Sequence, residues 1–255
     1  MDNGCQTVLK TVGCKSFVGS NPISSAELSH GVIGSTTVFG TVSLGSSPSE
    51  ITIVIIMDKN KVYIFDDIVS PEVQDNLTNK IHQIPFRWSP NFHLTAPKIT
   101  IKDSHIWNQN RPGLLQSFQY EMGEWETGAL KWFVLPVFDA LSTKLNVTPE
   151  LQKIKINFNY REHPSKATSC FHPHCDLEEE DSWTAIYYVN ESDGDTLIFE
   201  EKGMGAFFNE EELNIKSRVK NKKGRIVIFN QLNLHTGMPP INSNNRIVIN
   251  YNFKI

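Results

Sequence analysis

Leu151-Gln152-Lys153-Ile154-Lys155-Ile156-Asn157-Phe158-Asn159-Tyr160 decides the fold class. Ile154, Ile156, Phe158 and Tyr160 alternate with Lys155, Asn157 and Asn159, and a period of two belongs to a strand with one buried face. Downstream, Trp183–Asn190, Thr196–Glu200, Arg225–Asn230 and Arg246–Phe253 read as further strands, separated by turn-rich stretches at Glu191–Asp195, Asn221–Gly224 and Pro239–Asn245. Short strands in series with no helical pattern between them predict a β-sandwich or barrel. Upstream of Leu151 the period is that of a helix. Ser70-Pro71-Glu72 offers an N-cap, a proline for the first helical position and an acid for the first turn, ahead of Val73, Leu77, Ile81 and Ile84. Ala129–Leu145 carries a second, broader apolar face, with a kink expected at Pro136. Val62–Phe65 reads as a first strand and Phe86–Gly128 as aromatic and irregular. The expected architecture is mainly β with flanking helices (α+β), two helices laid against a mostly antiparallel double sheet.

Composition sets the outer limits. The chain has 255 residues, 39% apolar and 20% charged, which is enough apolar side chain for a substantial core. A net charge of −4 argues against a protein that coats DNA or RNA through its phosphates. No apolar run approaches the ~20 residues of a membrane span, and no basic start precedes an apolar signal core. The four cysteines, Cys5, Cys14, Cys170 and Cys175, are too few for a disulfide framework in a chain this long, so a cytoplasmic protein is expected. Residues 1–56 differ from the rest: they hold 10 Ser and 7 of the 15 Gly, but only Lys10 and Lys15 among the basic residues. They read as a weakly ordered extension, the alternative being edge strands at Thr36–Val42 and Ile51–Ile56. Residues 57–255 form the expected domain, helical support over 57–150 and a β core over 151–255.

The densest group of metal-capable side chains is Phe171-His172-Pro173-His174-Cys175-Asp176. His174 and Asp176 lie two apart and share a side if the backbone is extended. His235 follows the strand Arg225–Asn230 and is expected from a neighbouring strand end. Two His and one carboxylate can occupy one face of an octahedral metal and leave three positions open, the arrangement of non-haem Fe(II) oxygenases. Taken alone, an H-x-D is common by chance. Arg246 adds weight, because it opens the last strand eleven residues after His235 and a buried guanidinium can hold a carboxylate by two parallel hydrogen bonds.

Taken in order, His174-Cys175-Asp176, Trp183–Asn190, Ser192-Asp193-Gly194-Asp195-Thr196, Lys223–Phe229, His235 and Arg246–Asn250 resemble the 2-oxoglutarate (2OG)/Fe(II)-dependent dioxygenases. The likeness is greatest to the prolyl 4-hydroxylase-like proteins of phage and marine microbes, loosely over 57–255 and closely over 154–253. The resemblance implies a double-stranded β-helix, or jelly roll, with Fe(II) at its mouth. It implies 2OG and O2 as co-substrates, admits ascorbate as an accessory, and implies a hydroxylase that releases succinate and CO2. His174, Asp176 and His235 are the implied metal ligands and catalytic centre, and Arg246 the partner of the far carboxylate of 2OG. Asn157, Asn159 and Tyr160, on the strand before the H-x-D, are further candidates for contact with 2OG. Thr184, Ile186 and Tyr188 share a face of the next strand, so Thr184 and Tyr188 join the cofactor-binding candidates, against ordinary core packing as the alternative. Cys175 is expected to point away from the metal.

A rival reading uses His172-Pro173-His174 with Glu178, the spacing of a cupin first motif, and leads to an isomerase, a 2OG-independent dioxygenase or a binding protein. It lacks the cupin Pro-x-Gly before His235 and leaves Arg246 without a role. A metal-free jelly-roll binding module is the third reading. The substrate, whether small molecule, peptide or nucleobase, and the oligomeric state are not encoded in these motifs, and no membrane partner or strong nucleic-acid signal is present. The Phe86–Gly128 stretch, with Trp88, His93, His105, Trp107 and Trp125, is a candidate lid or a set of packing loops.

Overall fold

Alternation along the sequence becomes the two faces of one large sheet. The computed structural model describes residues 57–83, 89–91, 100–108, 113–121, 124–125, 131–176, 181–203 and 212–255. In chain order the elements are β1 (Tyr63–Phe65), α1 (Pro71–Gln83), β2 (Ser89–Asn91), β3 (Thr100–Ile101), β4 (Trp107–Asn108), β5 (Gly113–Glu121), β6 (Glu124–Trp125), α2 (Lys131–Leu145) and β7 (Glu150–Tyr160). They continue with a 3-10 turn (Pro164–Lys166), β8 (Ser169–Cys170), β9 (Ser182–Tyr188), β10 (Thr196–Lys202), β11 (Glu212–Leu213), β12 (Ile215–Val219), β13 (Ile226–Asn230), β14 (Asn233–Gly237) and β15 (Asn245–Lys254).

The large sheet runs β1-β13-β9-β15-β7-β5-β2, with β6 on β5, and its β1-to-β5 core is antiparallel throughout. A three-stranded antiparallel sheet, β12-β10-β14, lies over it, and the short strands β11-β3-β4-β8 make a third. On the large sheet, Ile154, Ile156, Ala185, Tyr187, Ile247 and Ile249 turn one way, into a buried cluster with Leu77 and Ile81 of α1 and Val137, Phe138 and Leu141 of α2. The opposite face presents Ile186, Tyr188, Val227, Phe229 and Val248, which meet Ile198 of β10 and Val219 of β12. Each of these side chains contributes roughly 1.5–3 kcal/mol on full burial. The layers are therefore helices, large sheet and small sheet, the mainly β arrangement with flanking helices expected from the periodicity.

Helix α1 starts where its capping signal lies. The Ser70 hydroxyl accepts from the Val73 N–H at 3.4 Å, Pro71 is the first helical residue, and Leu77 and Ile81 are buried on the inner face. Helix α2 accommodates Pro136 within its span.

The sequence reading departs from the structure in three places. Phe86–Gly128 is not purely irregular. It holds β2 to β6, including the nine-residue β5, whose backbone pairs with β7 over Leu114–Gln119. Strands β12 and β14 were not anticipated, because their side chains are mixed and polar and give no apolar alternation. His235 consequently sits in the middle of a strand, not at the end of one. Residues 1–56, with the candidate strands Thr36–Val42 and Ile51–Ile56, lie outside the described residues. Among the described residues, no helix is long and apolar enough to cross a membrane.

Candidate metal centre and active site

Between the large sheet and the small one opens a cavity of about 240 Å³. Its lining follows from strand periodicity: Lys155, Asn157 and Asn159 on β7, Ile186 on β9, and Arg246, Val248 and Asn250 on β15 all occupy the faces turned from the helices. From the other side come His235 and Thr236 on β14 and Phe171, His172 and His174 from the segment before Asp176.

That segment is not a regular strand. His174 is joined to His235 by an isolated antiparallel bridge, its N–H donating to the His235 carbonyl at 3.1 Å and the His235 N–H donating back at 2.9 Å. Phe171 N–H donates to the Gly237 carbonyl at 2.9 Å, and the Thr236 hydroxyl donates to the Phe171 carbonyl at 2.8 Å. The side-by-side placement of His174 and Asp176 thus comes from docking onto β14 and not from extended alternation. It still brings the three residues together: one ligand atom from each of His174, Asp176 and His235 lies within 4.8 Å of the others. Asp176 Oδ2 is 3.7 Å from His235 Nε2, and Asp176 Oδ1 is 3.9 Å from His174 Nε2.

The tautomers follow from the backbone. His174 Nδ1 lies 3.0 Å from the His172 carbonyl and His235 Nδ1 lies 3.2 Å from the Asn233 carbonyl. A carbonyl only accepts, so both Nδ1 atoms carry the proton and both Nε2 lone pairs face Asp176. His235 is 2% exposed, and its Nε2 has no hydrogen-bond partner. A buried lone pair without a donor fits a metal at this point, as does the donor set of two imidazoles and one carboxylate. Burial, then the neighbouring His235 and Lys155, hold the His174 pKa below the ordinary imidazole value, and burial does the same for His235, so both rings are neutral at neutral pH. Burial works against ionisation of Asp176, but the charges that His235, Lys155 and His174 carry at the acid pH where it titrates, together with the Asn252 hydrogen bond, outweigh it and hold the carboxyl below its ordinary value.

Asp176 is oriented from behind. Its Oδ2 accepts from the Thr184 hydroxyl and from Asn252 Nδ2, both at 3.0 Å, and Asn252 Nδ2 also donates to Thr184 Oγ1 at 3.1 Å. Asn252 was absent from the sequence reading. It shares the inner face of β15 with Arg246 and Asn250, and the period of two along Arg246–Phe253 was the signal that could have found it. Thr184, expected to contact 2OG, instead holds the carboxylate.

Arg246 lies at the other end of the cavity and is 4% exposed. Its Nε donates to the Gly194 carbonyl and one terminal nitrogen to Thr196 Oγ1, both at 2.8 Å. Tyr188, also expected at the cofactor, donates its hydroxyl to Thr196 Oγ1 at 2.7 Å, and its ring lies 5.9 Å from the guanidinium carbon. Tyr188 therefore acts on Arg246 from outside the cavity lining. Two glycines leave room for the guanidinium: a Cβ on Gly194 would lie 2.8 Å from Arg246 Cδ, and one on Gly237 would lie 3.1 Å from Arg246 Nη1. Among the described residues, no carboxylate lies within ion-pair distance of Arg246.

The β7 candidates divide by face. Asn157 and Asn159 line the cavity, whereas Tyr160 is 56% exposed and stands beside Phe158 on the other face, which corrects its expected contact with 2OG. Lys155, not anticipated, places its Nζ 3.9 Å from Asp176 Oδ1. Lys153 follows on the same face, and burial and then the charge of Lys155 lower its pKa. Cys175 packs against the cluster of Ile101, Cys170 and Leu197, as expected of a structural thiol. His172 lines the cavity outside the three-residue group, and Glu178 of the cupin reading lies outside the described residues.

Residues 158–254 match the family model described as the 2OG-Fe(II) oxygenase superfamily. Residues 158–254 carry a 2OG-Fe(II) oxygenase domain. Among solved structures, this oxygenase domain resembles the non-haem alpha-ketoglutarate-dependent epimerase SnoN from nogalamycin biosynthesis, with 11% identity and a TM-score of 0.51 over 77% of this chain and 79% of that one. That likeness is one of fold, the jelly roll. It is also similar to a Pseudomonas putida prolyl-4-hydroxylase (13% identity, TM-score 0.42, 76% and 91% covered). A third is HygX from Streptomyces hygroscopicus, solved with nickel and 2-oxoglutarate bound (9% identity, TM-score 0.45, 77% and 83% covered). No curated protein matches the sequence. The match over these residues and the His-Asp-His cluster make the protein an oxidoreductase that uses Fe(II) and 2OG.

Proposed function

We propose that the protein hydroxylates a C–H bond of its substrate, with His174, Asp176 and His235 holding Fe(II) and Arg246 holding the far carboxylate of 2OG. Arg246 carries this reading: a buried cation without a carboxylate partner among the described residues, at the opposite end of one cavity from a His-Asp-His cluster. A dicarboxylate with one end at the metal and the other on the guanidinium offsets the charge at both ends, and the guanidinium fork suits a carboxylate better than an ammonium would.

With iron and 2OG bound, the chemistry supplied is oxidative decarboxylation of 2OG by O2, which sends one oxygen atom into succinate and the other into the substrate C–H bond, with release of CO2. The chain's own groups prepare for it. The His172 and Asn233 carbonyls fix both imidazoles as Nε2 donors, Thr184 and Asn252 aim the Asp176 carboxylate, and Gly194, Thr196 and Tyr188 fix the guanidinium. Ile186 and Val248, between the two ends, line the cavity with apolar surface that limits water around the bound co-substrate.

The test is O2-dependent conversion of 2OG to succinate, followed by NMR with peptide, nucleoside and amino-acid pools added in turn. Asp176→Ala should lose tight Fe(II) binding and turnover together. Full activity in Asp176→Ala would refute the assignment.

A further inference from the structure

Lys155 is not used by this reading of the site, yet it is the cation nearest the metal position. Its Nζ is 3.9 Å from Asp176 Oδ1, the oxygen left over when Thr184 and Asn252 occupy Oδ2, and its side chain is only 19% exposed. On the proposed function, the charges of Fe(II) and Arg246 already balance those of Asp176 and the two carboxylates of 2OG. Lys155 is a surplus positive charge in a partly buried site, and Lys153 on the same face adds another beside it. Among the described residues, no Asp or Glu other than Asp176 lies within ion-pair distance of Lys155, and none lines the cavity. A half-buried ammonium beside a metal dication needs an anion to offset the repulsion.

Across the β7–β15 ladder, the residue paired with Lys155 is Asn250. It is 4% exposed, lines the same cavity, and its carboxamide oxygen is buried with no hydrogen-bond partner. A buried acceptor of this kind calls for an N–H or O–H from whatever fills the cavity.

We infer that the substrate is a small anion whose carboxylate or phosphate docks on Lys155 Nζ, with an N–H or O–H beside that group donated to Asn250 Oδ1. The inference rests on the proposed iron and 2OG site. Lys155 then selects the substrate and sets its orientation toward the metal, while Arg246 serves the co-substrate. An amino acid, a hydroxy acid or a phosphate ester has the required pair of groups.

The test uses the full chain under anaerobic conditions, saturated with Fe(II) and 2OG, titrated calorimetrically with inorganic phosphate, glycine and acetate. Wild type should bind phosphate or glycine, and glycine more tightly than acetate because of its extra donor. Lys155→Gln should weaken that binding at least tenfold while changing 2OG affinity less than threefold. Lys155→Arg, which keeps the charge, should stay within threefold of wild type for the probes. Equal probe affinity in wild type and Lys155→Gln, or no probe binding by saturated wild type, would overturn the inference and leave the iron and 2OG reading intact. A tenfold loss of 2OG affinity in Lys155→Gln with unchanged probe binding would assign Lys155 to the co-substrate and overturn it as well. Failure of wild type to bind Fe(II) and 2OG at all, seen in the first titration, would overturn both readings.

Discussion

Replacing Gly194 by alanine should loosen the hold on 2OG without removing a single polar group. The added Cβ would lie 2.6 Å from the Met238 carbonyl oxygen, 2.8 Å from Arg246 Cδ and 3.2 Å from the Pro239 carbonyl carbon. Two of these atoms are backbone, and the third belongs to a side chain pinned by hydrogen bonds to Gly194 O and Thr196 Oγ1. Something must shift, and the guanidinium shifts with it, because its own Nε bond ends on the residue being changed. Overpacking of this kind costs about 1–3 kcal/mol. If it falls on the guanidinium, 2OG affinity drops about 5- to 150-fold at 1.4 kcal/mol per factor of ten. The assay is calorimetric titration of 2OG into anaerobic, Fe(II)-saturated wild type and Gly194→Ala. Fe(II) affinity serves as the internal control, since none of the three contacted residues is one of the proposed metal ligands. Arg246→Ala sets the upper bound, as losing one partner of a buried charge pair costs about 3–5 kcal/mol. An affinity for 2OG within twofold of wild type, even with a lowered melting temperature, would refute the reasoning. It would mean that the loop at Met238–Pro239 absorbs the strain and that the position of Arg246 does not depend on Gly194.

Two further outcomes are expected. Thr184→Val removes the hydroxyl that bonds Asp176 Oδ2 while keeping the volume, so Fe(II) affinity should fall about 10- to 100-fold while 2OG affinity at saturating iron holds; an unchanged Fe(II) titration would exclude this orienting role. Asp193 accepts from the backbone N–H groups of Ile241, Asn242 and Ser243, and although burial pushes its pKa up, those bonds prevail and hold it down to about 2. A depressed carboxyl pKa stabilises the fold fully above the unfolded value of about 4, and that contribution is lost as pH falls through the folded value. The urea midpoints of wild type and Asp193→Asn should therefore differ at neutral pH and converge between about pH 4 and pH 2, and a gap that stays constant across this range would show that the carboxylate charge is not what closes the loop.

How much of this could be read from the sequence depended on which physical signal each element carries. Strands β7, β9, β13 and β15 are buried on their helix-facing side, so their alternation or apolar runs stand out and their limits come within a few residues. Strand β14 has neither signal: Asn233-Leu234-His235-Thr236-Gly237 is held by pairing with β10 and by the segment before Asp176, contacts that no local pattern records. Strand β5 was hidden for a related reason, since breakers at Pro112 and Gly113 suggested a loop where the structure has a strand added beside β7. The site divides in the same way. His174, Asp176, His235 and Arg246 are residue types with few other reasons to occur in that order, and the structure gathers them around one cavity. Tyr160 was grouped with Asn157 and Asn159 by residue type, although the period of two sets it on the opposite face, with Phe158. Lys155 and Asn250 meet only across a ladder, so their pairing exists in the fold and not along the chain.

The bridge between His174 and His235 has a further consequence for how the chain can change. His174 and Asp176 take their positions from the backbone of β14, through Phe171 and His174, and not from a covalent path measured out from β7. The span between Glu162 and Thr168, with its single 3-10 turn, is therefore a spacer and not a ruler. Lengthening a flexible spacer is inexpensive, with each doubling costing about 0.6 kcal/mol in closure entropy. Insertions there leave the ligand geometry where β14 sets it, so this stretch of the chain is free to diverge in length at a fixed chemistry.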